Sequence, residues 1–176
     1  MKYMDKCIEE IHKALIDGKV KSSDLIKESL DMSHKIQEEC NAFVTIIDDA
    51  KEVCVNDNLL SGIPYGIKDN YSTKGILSTG SSNTLKDYIP FFTATAVKNL
   101  EDKGAVIVNK TAMDEFGMGG TGTTCKTGNV LNPWDTTRMT AGSSAGFLQS
   151  IMATLKGAKV PFASSRAVPV VIFSSG

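Results

Sequence analysis

The stretch TATAVKNLEDKGAVIVNK, Thr93 to Lys110, places a helix and a buried strand end to end with almost nothing between them. Thr93 to Gly104 reads as a capped helix that ends at glycine, where a left-handed residue is wanted. Ala105 to Lys110 follows at once as an apolar, β-branched strand. Upstream, the apolar run Ile63 to Ile67 reads as a second strand, broken by Pro64 and Gly66 and leaving into the turn residues Asp69-Asn70. Strand, helix and strand in that order make a βαβ unit, and hence a parallel sheet with helices packed on it.

Toward the N-terminus, residues 4–17 carry Ile8, Ile11 and Leu15 at helical spacing, closed by Gly18. Ser22-Ser23-Asp24 can cap a second helix running to about Glu39, with Leu25, Ile26, Leu30 and Ile36 inward. Asn41 to Ile47 (NAFVTII) is a strand candidate, and Asp48 to Val55 reads as a short helix. Two helices before an α/β layer is the predicted architecture.

At 176 residues and 41% hydrophobic content, the chain can bury one domain-sized core. A net charge of −1 gives no footing for electrostatically driven nucleic-acid binding. No run approaches the ~18 apolar residues of a membrane span, and Met1 to Asp5 lacks a signal-peptide core. The expected location is the cytoplasm. Cys7, Cys40, Cys54 and Cys125 form no C-x-x-C pair, and His12 and His34 sit in helical patterns, so no metal site is expected. The cysteines read as reduced thiols.

Lys68 ends the Ile63–Ile67 run among glycines, and two readings are open: a solvated surface lysine, or a base held in a backbone cradle. From Gly117 to Gly146 the chain turns glycine- and hydroxyl-rich, GMGGTGTTCKTGNVLNPWDTTRMTAGSSAG. Such composition makes loops that approach a ligand closely, and AGSSAG could wrap an anion with its N–H groups. GGTGTTCKTG fits a phosphate loop poorly, because no lysine follows its second glycine in register. Acyl transfer is the competing reading: a serine nucleophile or relay, a lysine base and backbone N–H groups for the oxyanion. Lysine serves as such a base only when burial or neighbouring positive charge destabilises its ammonium.

GIPYGIKDN, KTAMDEFGMGGTGT, NPWD and AGSSAG, in that order, resemble the amidase signature family. More narrowly, with MDEF as the discriminating piece, they are similar to the branch that forms the A chain of glutamyl-tRNA(Gln)/aspartyl-tRNA(Asn) amidotransferases. The resemblance covers residues 1–146. It implies an α/β fold, a mixed sheet with helices on both faces, of which this chain holds the N-terminal part. It also implies a Ser-cisSer-Lys mechanism in which Lys68 is the base and Ser143 the bridging serine, 75 residues apart. Gly119, Gly120, Thr121, Gly142 and Ser144 fall on loop or substrate support.

The implied activity is glutamine hydrolysis that supplies ammonia to misacylated Glu-tRNA(Gln) or Asp-tRNA(Asn). The implied partners are subunits B and C of the amidotransferase complex. ATP and Mg would belong to a partner, and no cofactor is expected here. A non-catalytic partner-binding remnant and a small-molecule amidase are the alternatives. The family's nucleophile segment, DTGGS, is not found in the sequence. Ungapped counting puts Ala167 at the nucleophile's place. Ser164, Ser165, Ser174 and Ser175 lack the glycine neighbours such a serine needs. Residues 147–176 therefore read as a divergent or frameshifted tail, and the chain as inactive without a nucleophile.

Overall fold

The computed structural model describes residue 3 and residues 6–146. In chain order the elements are α1 (Ile8–Ile16), α2 (Ser22–Cys40), β1 (Phe43–Ile46), β2 (Pro64–Lys68), α3 (Thr95–Glu101) and β3 (Val106–Thr111). Short 3-10 turns occupy Asn83–Leu85 and Glu115–Gly117. The three strands form one sheet in the order β1-β3-β2. β2 and β3 run parallel and β1 runs antiparallel to β3, so the sheet is mixed. The βαβ reading holds, and the α/β fold is as expected.

Each face of the sheet has its own helix, and the alternation along the strands shows why. Val106 and Val108 of β3 pack with Ile26 of α2, while Tyr65 and Ile67 of β2 pack with Val97 and Leu100 of α3. Ile107 joins the α3 side. Successive strand residues point to opposite faces, so a strand covered on both sides reads as the unbroken apolar run AVIV. All five residues of β2 are buried although, among the described residues, it pairs on one edge only.

The β2–β3 register slips between Tyr65 and Gly66, where Val108 is the extra residue. Such a bulge re-aims the side chains beyond it. Asn109 here reaches α2, its Nδ2 donating to Ser33 Oγ at 3.0 Å, whereas Lys110 turns toward the 71–78 loop.

α1 starts at Ile8, with Cys7 as N-cap, and Gly18 follows it with φ of +66°. α2 is capped less directly than Ser22-Ser23-Asp24 implied. Lys21 is the N-cap, and the Asp24 carboxylate accepts its backbone N–H at 3.2 Å. Ser22 instead donates to Gly62 O and ties α2 to the start of β2.

The expected helix over Asp48 to Val55 is a correction, because the segment makes a turn and then runs without helical structure. Ala50 and Val53 pack on the Ile26–Val106–Val108 cluster, while Val55 packs on the separate Ile11–Leu15–Leu25 cluster. Val53 and Val55 are partly buried while Cys54 between them is exposed, an extended-chain alternation that a helical turn would break. No described helix is long and apolar enough to cross a membrane.

Candidate active site

Lys68 is the last residue of β2, and β3 ends beside it at Thr111. The carboxyl ends of parallel strands are where open α/β sheets place their ligands. The lysine is 2% exposed, so the surface reading fails. Its Nζ donates to Ser143 Oγ at 2.9 Å. The Gly142–Ser143 peptide is cis. Burial pulls the Lys68 ammonium below the ordinary lysine range, and the Asp114 carboxylate opposes that pull. A buried amine on a serine hydroxyl can take a proton and return it; that is the chemistry the geometry allows.

Ser143 is held from two sides. The backbone N–H of Asp114 donates to Ser143 O at 3.1 Å, and Gly142 N–H donates to Gly120 O at 2.9 Å. The cradle has no room at Gly142. A Cβ there would collide with Asp114 Oδ2 and lie 2.7 Å from the backbone nitrogen of Thr121. Gly119 also leans on Asp114, whereas Gly120 has open space around its Cα. Thr121 donates its N–H to Asp114 Oδ2, and its carbonyl accepts from Thr140. Ser144 is half-buried beside the pair. Lys68, Gly119, Gly120, Thr121, Gly142, Ser143 and Ser144 are thus brought together by three segments. Ala167, Ser164, Ser165, Ser174 and Ser175 lie outside the described residues, as does the whole 147–176 segment that the sequence reads as a divergent tail.

Sequence reasoning missed a second layer of buried polar groups beneath this site. Asp69, beside Lys68, accepts from Thr79 N–H, Thr79 Oγ1 and Ser81 N–H through Oδ2. Ser81 in turn accepts from Met113 N–H, and Ser82 donates to Glu115 Oε1. Lys110, with no solvent exposure, donates to Tyr71 O, Thr73 Oγ1 and Ser78 Oγ, which occupies all three ammonium donors. Burial pushes the Lys110 ammonium down to about 8, against a raising pull from Asp69. The hydroxyl-rich STGSS, Ser78 to Ser82, was the available signal: it is wholly buried. Among the described residues no group of three or more His, Cys, Asp or Glu could hold a metal ion.

Residues 24–151 match the Amidase family, and the chain belongs to it. Its relatives include the A chain of the glutamyl-tRNA(Gln) amidotransferase of Oenococcus oeni, 39% identical over 158 residues, which are 85% of this chain and 32% of that protein. The protein of the same name from Streptococcus thermophilus strain CNRZ 1066 is 41% identical over 155 residues, 83% of this chain and 32% of that one. The crystal structure of the corresponding glutamyl-tRNA(Gln) amidotransferase chain from Thermotoga maritima superposes with a TM-score of 0.74 at 31% identity, over 86% of this chain and 32% of that one. A 6-aminohexanoate cyclic dimer hydrolase shares the fold, with a TM-score of 0.75 at 22% identity, over 87% of this chain and 33% of that one. The chain spans about a third of the length of the curated relatives it matches.

Proposed function

We infer that this chain carries the base and the relay of a glutamine amidohydrolase, the ammonia-supplying part of a tRNA-dependent amidotransferase. The observation that carries the reading is the Lys68 Nζ–Ser143 Oγ hydrogen bond, 2.9 Å long, at a buried strand end. In the forward step Lys68 begins as the neutral amine. Ser143 takes the proton of a nucleophilic hydroxyl as its own proton passes to Lys68. The nucleophile's oxygen bonds to the amide carbon of glutamine. As that carbon releases its nitrogen, the proton travels back through Ser143 to the leaving group, and ammonia departs. The names of the relatives point to Glu-tRNA(Gln) as the acceptor. The assembly that goes with it has subunits B and C beside this chain, with ATP and Mg on a partner.

This chain supplies base and relay and has Ala167 at the ungapped nucleophile position. Purified alone with glutamine, it is expected to release no ammonia above a Lys68→Ala control. Removing the nucleophile from such a unit costs about 10⁶ in turnover, as it does in subtilisin. The positive test is a chimera: residues 1–146 of this chain joined to the remainder of the Oenococcus oeni protein. Glutamine-dependent ammonia release that disappears with Ser143→Ala supports the reading. A well-folded chimera that releases none overturns it.

A further inference from the structure

Of the buried charges that the proton relay leaves unused, Asp114 is the one whose backbone bonds to Ser143. Asp114 has no solvent exposure, and no ion pair engages it among the described residues. Its Oδ2 accepts the N–H groups of Thr121 and Gly122, each at 3.1 Å. Its Oδ1 accepts from Thr124, from Oγ1 at 3.0 Å and from N–H at 3.4 Å. Its own N–H donates to Ser143 O. One residue therefore grips the loop on one side of Ser143 and the backbone of Ser143 itself. Four donors on one carboxylate keep it ionised despite burial, because hydrogen bonds to the charged form favour that form.

We propose that Asp114 is a positioning residue for the Lys68–Ser143 pair: its carboxylate clamps the Thr121–Thr124 loop, and its N–H holds Ser143, the residue to which Lys68 donates. The proposal rests on the base role given to Lys68. The other charged groups near Lys68 have partners of their own, although Asp69 Oδ1 is buried without a hydrogen bond. Asp69 Oδ2 is taken by Thr79 and Ser81, Lys110 by Tyr71, Thr73 and Ser78, and Glu115 by Ser82. Burial lowers the proton affinity of Lys68, and the charge that opposes this is that of Asp114. At a given pH, removing the Asp114 charge should leave more of Lys68 neutral and able to accept a proton.

The test needs no turnover. In the 176-residue chain carrying ¹³C-labelled lysine, the Lys68 side-chain carbon beside Nζ is titrated by NMR, with Lys68→Arg to assign the signal. Asp114→Asn removes the charge and keeps the shape, and should move the Lys68 midpoint down. Thr124→Val removes the hydroxyl bond and keeps the charge, and should leave that midpoint in place. An unmoved midpoint in Asp114→Asn, or an equal shift in Thr124→Val, overturns the proposal. If Asp114→Asn does not fold, the reciprocal arm decides. Lys68→Met should raise the Asp114 carboxyl midpoint, because coupling between two sites acts equally on both. An unmoved carboxyl would then overturn it. Loss of ammonia release in the chimera with these shifts intact would refute the amidohydrolase reading and leave this inference standing.

Discussion

At the scale of single residues, the site depends on close approach more than on any one strong bond. Gly142 and Gly120 look equivalent as letters in a glycine-rich loop, but only Gly142 is walled in by Asp114 and the backbone of Thr121. Gly142→Ala should lower stability by about 2–3 kcal/mol, as overpacking does, and Gly120→Ala by less than about 0.5 kcal/mol. Urea unfolding of the two variants measures the contrast; equal costs would mean the cradle is loose. Lys68 and Ser143 were legible as a pair because their motifs are local and ordered. Asp69, Lys110 and Asp114 were not legible as supports. A buried charge looks the same in a sequence as a solvated one until its partners are known, and those of Lys110 lie 32 to 39 residues away.

Lys110 also gives the molecule a pH dependence with a definite sign. Its folded value is about 8 against 10.5 for an ordinary lysine, so between those values the unfolded chain binds more protons. Stability therefore rises with pH in that window. The buried phenol of Tyr65, pushed well above the ordinary 10, works the other way at higher pH, since there the folded state holds the extra proton. The gain from Lys110 should amount to about 2 kcal/mol between roughly pH 8 and 10, and be missing from Lys110→Met. Denaturant midpoints of parent and variant across that range test it. Parallel curves would show that Lys110 does not titrate there.

At the scale of elements, apolar period and turn chemistry placed α1, α2, β1, β2, α3 and β3, with ends off by a few residues. The 48–55 segment was misread because its two inward valines, Val53 and Val55, serve two different clusters, which no local pattern announces. The bulge was equally silent in the sequence. Its consequence is that Asn109 stands against the bare Cα of Gly66, where a Cβ would collide with Asn109 Oδ1. Gly66→Ala should cost about 2 kcal/mol in the parent and clearly less in an Asn109→Ala background. A double-mutant cycle on unfolding free energies reads that coupling. Additive costs would mean the β2–β3 register differs from the one described.

At the scale of the whole molecule, two layers of helix clasp a small mixed sheet whose parallel strand ends hold a lysine against a serine. Residues 24–151 carry the family's match, and the loops that complete the described site come from its last thirty or so residues. The central claim is that Lys68 and Ser143 act as one proton-transferring unit. The measurement that tests it most directly is a cycle on ammonia release from glutamine by the chimera, comparing Lys68→Ala, Ser143→Ala and the double variant. Each single change is predicted to lower turnover by about 10⁴, and the double change to be no slower than the slower single, because members of one unit are not additive. Losses that multiply in the double variant, or a Lys68→Ala chimera as fast as its parent, would contradict the claim.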